Sequence, residues 1–236
     1  MKFILIGGKS KDSNVNKIEK YAISLTNKEK PKVLVIPYAS KNIKSSMDKF
    51  NKLVSGLNMD IDYMDFDNVS LFEKKLKDSD IIYVLGGVSD DLVSYFIDNK
   101  LDVILKKYLD SEKIYVGSSA GAMLITKISM GDKYMFSDNF HNYNYKMVDC
   151  LNILNISICP HYQNEDLIIY NDEILKYNID SFGIEEDTAL VIDNNRFYCI
   201  KDNKKSSVYY FDSKNNYKMI PLYEGEIYEK VGGFRS

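Results

Sequence analysis

The sequence contains few of the residues on which several functions depend. Among its 236 residues there are two arginines and no tryptophan, and the formal net charge is −3, so no basic patch indicates a nucleic-acid partner. The three cysteines, Cys150, Cys159 and Cys199, are odd in number and lack CxxC spacing. This pattern favours neither a disulfide framework nor a zinc site.

Long apolar runs are also missing. Segment 1–6 is too short for a signal peptide, and no later segment approaches the roughly 20 apolar residues of a membrane span. The protein is therefore predicted to be cytoplasmic and to make no membrane contact. Because the sequence has no Pro/Ser-rich linker and no repeat, residues 1–236 are predicted to form a single domain.

Short apolar runs alternate with segments of helical spacing. Runs rich in Ile, Val and Tyr predict strands at 2–6, 32–37, 61–66, 81–85 and 114–116. Continuous hydrophobicity, as in Val33-Leu34-Val35-Ile36, is typical of strands covered on both faces. The predicted fold class is therefore α/β, with a mostly parallel sheet between helix layers. Extra antiparallel strands are predicted in the C-terminal third, at 188–193, 196–201 and 207–211.

Three loops that contain glycine follow predicted strands, at Gly7-Gly8, Gly86-Gly87 and Gly117-Ser118-Ser119. Ligands bind beyond the carboxyl ends of parallel strands, so these loops predict a site at one edge of the sheet. Residues 117–121 have the G-x-S-x-G spacing that holds a serine, here Ser119, on a sharp turn between a strand and a helix. Residues 120–128 are expected to begin that helix. The pattern indicates a hydrolase.

A serine hydroxyl needs a base to remove its proton, and the chain offers two histidines. His161 follows the apolar run 156–160 and stands where that strand would end, at the same edge of the sheet as Ser119. His141 lies in a polar and aromatic stretch that is typical of a surface loop. Position therefore favours His161.

The base needs an acid that orients it, and the reaction needs amide donors for the oxyanion. The N–H of Ala120 follows the nucleophile, and the loop Gly86-Gly87 is the best source of a second donor. The candidate acids lie beside apolar segments or soon after the serine: Glu185, Glu186, Asp187, Asp132 and Asp138.

Taken together, these segments resemble peptidase family S51, the serine peptidases that include aspartyl dipeptidase (peptidase E) and cyanophycinase. The resemblance implies a fold similar to class I glutamine amidotransferases. These enzymes hold a cysteine on the sharp turn between strand and helix, called the nucleophile elbow, where this chain has a serine. No cysteine of this chain lies at the elbow, which argues against an amidotransferase. Six segments carry the resemblance: Leu5-Ile6-Gly7-Gly8, Val35-Ile36-Pro37-Tyr38-Ala39-Ser40, Val84-Leu85-Gly86-Gly87, Gly117-Ser118-Ser119-Ala120-Gly121-Ala122, Pro160-His161-Tyr162 and Gly183-Ile184-Glu185-Glu186-Asp187-Thr188-Ala189-Leu190.

The family's motifs imply a role for each member of a catalytic triad. Ser119 matches the nucleophile and His161 the general base. The glutamate of cyanophycinase-like members falls on Glu186, with Glu185 as the second choice. The aspartate of aspartyl dipeptidase corresponds to Tyr134, which is not an acid.

The motifs also imply how substrate is held. The family's second oxyanion donor falls on Gly87, in addition to the first donor, Ala120. Gly86, Val88 and Ser89 match the other positions of that substrate-binding segment, with Val88 in place of the usual asparagine. No metal or organic cofactor is implied.

The expected partner is a small peptide substrate. Members specific for N-terminal aspartate have arginines soon after the catalytic histidine, whereas segment 163–170 has none and includes two acids. We therefore predict a serine peptidase that is not specific for N-terminal aspartate. Two alternatives stay open, an esterase or amidase with the same triad and a non-catalytic binding module that retained the fold, as does the choice between a monomer and a homodimer.

Overall fold

The computed structural model describes residues 1–10, 13, 15–132, 145–163, 167–230 and 233–235. The strands are β1 Lys2–Ile6, β2 Lys32–Ile36, β3 Asp60–Tyr63, β4 Ile81–Val84, β5 Ile114–Ser118, β6 Thr126–Asp132, β7 Tyr145–Asp149, β8 Leu154–Pro160, β9 Ser181–Ile184, β10 Thr188–Asp193, β11 Arg196–Lys201, β12 Val208–Asp212, β13 Lys218–Pro221 and β14 Tyr228–Glu229. The helices are α1 Lys17–Ser24, α2 Ile43–Leu53, α3 Phe72–Asp78, α4 Ser89–Asp98, α5 Leu101–Lys106, α6 Ala120–Met123 and α7 Leu167–Ile174, with a 3-10 turn at Val69–Leu71.

The first sheet has eight strands in the order β14-β11-β10-β1-β5-β4-β2-β3. Strands β1 to β5 are mutually parallel, and β10, β11 and β14 extend the sheet in antiparallel fashion beyond β1. This arrangement confirms the predicted α/β class with its mostly parallel sheet. Because β1, β4 and β5 are parallel neighbours or next neighbours, the three glycine loops meet at one edge of the sheet.

Helices cover both faces of the first sheet, as the continuous apolar runs predict. Along β1, Ile4 and Ile6 belong to the buried cluster that includes α1 and α2. The alternate residues, Phe3 and Leu5, belong to the cluster that includes α3, α4, α5 and the second sheet. Successive side chains of a strand point to opposite faces, so β1 is buried on both sides. No helix among the described residues is long and apolar enough to cross a membrane.

A second sheet of six strands, in the order β13-β12-β9-β8-β6-β7, was not foreseen from the sequence. Its centre, β6, β8 and β9, is parallel, and β7, β12 and β13 add to it in antiparallel fashion. The predicted C-terminal strands are therefore divided between two sheets, with β10 and β11 in the first and β12 in the second.

The helix expected to begin at 120–128 is short, and this prediction is wrong beyond Met123. Helix α6 ends there, and β6 begins at Thr126. The Thr126 hydroxyl donates to the carbonyl of Met123 (2.7 Å) and lies 2.7 Å from the hydroxyl of Ser129. Both hydroxyls are buried, so this pairing favours the extended segment over a continued helix, in which serine and threonine are weaker formers.

Candidate active site

The elbow residue Ser119 lies between the end of β5 and the start of α6, with φ +52° and ψ −115°. Its N–H donates to the carbonyl of Ile6 (2.9 Å), and its own carbonyl accepts the N–H of Ala122 (2.8 Å). A Cβ at Gly117 would lie 2.3 Å from the Gly121 carbonyl oxygen. The sharp turn therefore needs its flanking glycine, since a side chain would collide with backbone.

His161 lies directly after β8 and reaches across from the second sheet to Ser119. Its Nε2 is 2.9 Å from the Ser119 Oγ. Its backbone has φ +53°, and its N–H donates to the carbonyl of Gly7 (2.8 Å), which ties the histidine to the end of β1. The serine and the histidine thus come from different sheets, and the loop after β1 joins them.

The carboxylate in contact with His161 is that of Glu186. Its Oε1 lies 2.8 Å from the His161 Nδ1, and the two side chains are each about one third exposed. Glu185 points elsewhere, because its Oε2 accepts the N–H of Ser207 (2.7 Å). Asp187 accepts the hydroxyl of Ser10 (2.5 Å). Of the three consecutive acids in the turn between β9 and β10, one faces the imidazole.

Of the other candidates for base and acid, His141 and Asp138 lie outside the described residues, and Asp132 ends β6. Tyr134, which matches the aspartate of aspartyl dipeptidase, also lies outside the described residues. No metal site is found either, since no group of three or more His, Cys, Asp or Glu within the described ranges could hold a metal ion.

The loop after β4 lies against Ser119. A Cβ at Gly86 would be 3.0 Å from the Ser119 Cβ, and one at Gly87, where φ is +149°, would be 1.9 Å from the Ala39 carbonyl oxygen. Neither the Gly87 nor the Ala120 N–H donates a hydrogen bond to another described residue. Val88 is buried, and its N–H donates to the Ala39 carbonyl (2.8 Å). Ser89 is also buried and begins α4.

Gly8 contributes to the site in a way that sequence reasoning missed. It has φ +129°, and a Cβ there would lie 2.2 Å from the His161 Cε1. The Gly8 carbonyl also accepts the Asp187 N–H (2.9 Å). Its position in a glycine pair at a strand end was the available signal, but the close approach to the imidazole depends on the second sheet.

A buried charge cluster beside this loop was also missed. The ammonium of Lys9 donates to Glu19 Oε2 (3.1 Å) and pairs with Asp202. The Tyr83 hydroxyl donates to the other Glu19 oxygen (3.0 Å). Burial raises the pKa of Glu19, and the nearby Lys9 charge opposes that shift only in part.

A polar cavity of about 520 Å³ opens on the acidic side of the site. Its lining includes all three carboxylates of the turn between β9 and β10, so a ligand there would meet negative potential. The full lining is Ser10, Tyr162, Gln163, Glu185, Glu186, Asp187, Asn203 and Ser206.

A serine on a strained turn, a histidine within hydrogen-bond reach and a carboxylate on its far nitrogen form the arrangement used by serine hydrolases. Comparisons with known proteins identify the family within this class. The model of peptidase family S51 matches residues 3–200. The chain belongs to peptidase family S51, and by class it is a serine-type peptidase. The resemblance in the sequence is thereby confirmed.

Two curated relatives agree with this membership. An uncharacterized peptidase of Listeria monocytogenes, Lmo0363, is 30% identical over 56% of this chain and 66% of its own length. An uncharacterized peptidase of Pasteurella multocida, PM1590, is 27% identical over 73% of this chain and 86% of its own.

Two crystal structures share the fold. A peptidase from an acI-B1 Actinobacterium has a TM-score of 0.72 at 19% identity, covering 97% of this chain and 96% of its own. A candidate peptidase E from L. monocytogenes has a TM-score of 0.63 at 21% identity, covering 85% and 98%.

Proposed function

We propose that this protein hydrolyses small peptides by acyl transfer to water, with Ser119 as the nucleophile. The observation that carries the proposal is the chain of two hydrogen bonds from Ser119 to His161 to Glu186, at 2.9 and 2.8 Å. With its Nδ1–H donating to Glu186, neutral His161 presents Nε2 as the acceptor for the serine proton. The attack forms an acyl-enzyme, and His161 gives the proton to the leaving amine.

The oxyanion is assigned to the amides of Gly87 and Ala120. Both N–H groups are free of described protein acceptors. Ala120 directly follows Ser119, and Gly86 lets the loop that carries Gly87 lie against Ser119. Amide donors aimed at the developing charge stabilise the transition state, and losing one costs on the order of a hundredfold or more in rate. Gly86, Val88 and Ser89 would then form the segment that binds the substrate. Val88 offers no polar side chain there, because its side chain is apolar and buried.

Residues 1–236 are proposed to act as one domain. Ser119 follows a strand of the first sheet, whereas His161 and Glu186 follow strands of the second. Neither sheet alone holds the triad, so the two sheets would have to fold together for activity.

The peptidase is proposed not to be specific for substrates with an N-terminal aspartate. Both arginines lie at the edge of the first sheet opposite the elbow: Arg235 donates to the Leu109 carbonyl (2.8 Å), near the start of β1, and Arg196 pairs with Asp193 (3.4 Å). The lining of the polar cavity at Glu186 instead includes three carboxylates. An aspartyl side chain would therefore meet repulsion, and neutral or basic peptides are favoured. Equal cleavage of Asp-Leu and a neutral dipeptide would contradict this preference.

The test combines a peptide-library cleavage profile with labelling by a fluorophosphonate probe. Wild-type protein is expected to be labelled and to cleave peptides, and Ser119→Ala is expected to do neither while retaining the fold. The neighbouring serine supplies the matched control, since Ser118→Ala should keep both properties. Unchanged peptidase activity in Ser119→Ala would refute the assignment. Labelling with cleavage of esters but not of peptides would favour the esterase alternative.

A further inference from the structure

The Lys9 cluster joins parts of the chain that are far apart in sequence. Lys9 follows Gly8 at the end of β1, Glu19 lies on α1, and Asp202 follows β11. Asp202 also accepts the N–H of Ile18 (3.1 Å) through Oδ1. One ammonium therefore connects the loop after β1, the start of α1 and the turn between β11 and β12.

The cluster is nearly closed to solvent. The side chains of Glu19 and Asp202 are 2% and 1% exposed, and that of Lys9 is 16% exposed. Removing one partner of a buried ion pair is strongly destabilising, because the other charge is left without compensation. Within the described part of the chain, the remaining titratable group that bonds to Glu19 is Tyr83, which donates from β4. Without Lys9, two carboxylates would face each other in a buried site.

Both residues of the Lys9–Asp202 pair connect to the surroundings of the His161 imidazole, Lys9 through its neighbour in the chain and Asp202 through a hydrogen bond. On one side, Gly8 precedes Lys9 and packs against the His161 ring. On the other side, the Asp202 N–H donates to the Asp187 carbonyl (2.9 Å), one residue after Glu186. The Asp187 N–H in turn donates to the Gly8 carbonyl (2.9 Å). The ion pair thus closes a ring of contacts around the turn that carries Glu186.

We propose that Lys9 is a positioning residue for catalysis, which clamps the loop after β1 to the turn between β11 and β12 and so holds Gly8 against the His161 ring and Glu186 at its Nδ1. The inference rests on the proposed function, because it assigns Lys9 a role in the same triad. Lys9 itself touches none of the reacting atoms. It acts by limiting the movement of the loop after β1 and, through the hydrogen bond from Asp202 to Asp187, of the turn that carries Glu186.

The kinetic test compares Lys9→Met and Lys9→Arg with wild type on a peptide that the wild type cleaves. In Lys9→Met, kcat is expected to fall roughly ten- to a hundredfold with little change in KM, since a displacement of about 1 Å in a catalytic group has effects of this order. Lys9→Arg keeps the charge and should recover part of the loss. The matched control is Lys2→Met, which removes a lysine from the other end of β1, where it pairs with Asp193 (3.0 Å). It should retain wild-type kinetics.

A spectroscopic arm tests the positioning without relying on turnover. The ring resonances of His161 are followed by NMR in a Ser119→Ala background, with His141→Gln to assign them between the two histidines of the chain. The Nδ1–H that bonds to Glu186 should give a downfield proton signal, and Lys9→Met should weaken or shift it, whereas Lys2→Met should not.

Each outcome either supports or overturns the positioning role of Lys9. A folded Lys9→Met protein with wild-type kcat and an unchanged His161 signal would overturn the inference. Where Lys9→Met does not fold, Asp202→Asn replaces it, because an amide keeps the acceptor for Ile18 while the ion pair is lost. In that variant a several-fold drop in kcat and a shifted signal are expected, and wild-type values for both would overturn the inference. Should the wild type cleave no peptide, the proposed function fails, and the His161 signal alone decides the role of Lys9.

Discussion

Replacing Gly8 by alanine is expected to inactivate the protein by displacing the imidazole of His161. The new Cβ would lie 2.2 Å from Cε1, 2.8 Å from Nδ1 and 2.9 Å from Nε2 of that ring. Carbon atoms pack best at about 3.5–4.0 Å, so the ring or the loop would have to move by more than about 1 Å. The backbone of His161 is fixed by the bond from its N–H to the Gly7 carbonyl, so the ring would have to rotate away from Ser119 and Glu186.

The substitution has two effects, a loss of catalytic rate and a loss of stability. The His161–Ser119 hydrogen bond, now 2.9 Å, would approach 4 Å after a shift of about 1 Å, beyond hydrogen-bond range. A misplacement of that size costs on the order of a hundredfold in rate. Independently, alanine at φ +129° carries backbone strain of about 1–3 kcal/mol.

The assay measures kcat/KM and the rate of fluorophosphonate labelling, with urea unfolding to record stability. Gly56→Ala is the control, because Gly56 has φ +90° and no atom within 4 Å of the added Cβ. It should lose a similar amount of stability yet keep its activity. The reasoning is refuted if folded Gly8→Ala labels and turns over at the wild-type rate.

Two further substitutions test the acids. Glu186→Gln should lower kcat by about three to four orders of magnitude, since the amide cannot hold the same tautomer of His161, whereas Glu185→Gln should retain most activity; equal losses in the two would contradict the geometry. Asp180→Asn should lower the free energy of unfolding at pH 7 by about 3 kcal/mol, because the buried carboxylate pairs with Lys230. Although burial raises the pKa of Asp180, the bonds from Lys230 and Ser213 outweigh it and hold the pKa below its ordinary value. The carboxylate therefore stabilises the fold fully when the pH is above the ordinary pKa of an aspartate. This stabilisation is lost as the pH falls through the lowered pKa of Asp180. Urea unfolding should show a smaller effect of the substitution at pH 3 than at pH 7, and an equal effect at both would contradict this.

Several parts of the fold and site followed from local sequence. The apolar runs marked β1, β2, β4 and β5 closely, because a strand buried on both faces has a composition that can be read over five residues. The helix predicted after Ser119 ends earlier than expected, because its end depends on a hydroxyl pair and on β8, the partner of β6. The second sheet was missed for the same reason, since strand pairing depends on distant partners.

The sequence by itself determined the elbow at Ser119, the glycine loops beside it and the place of His161 at a strand end, because turn geometry and strand termination depend on neighbouring residues. Only the tertiary structure decided that Glu186, and not Glu185, faces the imidazole, since that depends on how the turn between β9 and β10 sits against β8. It also brought Gly8 against His161 and Lys9 to Asp202, 193 residues away along the chain. Contacts between such distant residues arise from the packing of two sheets, which no short pattern encodes.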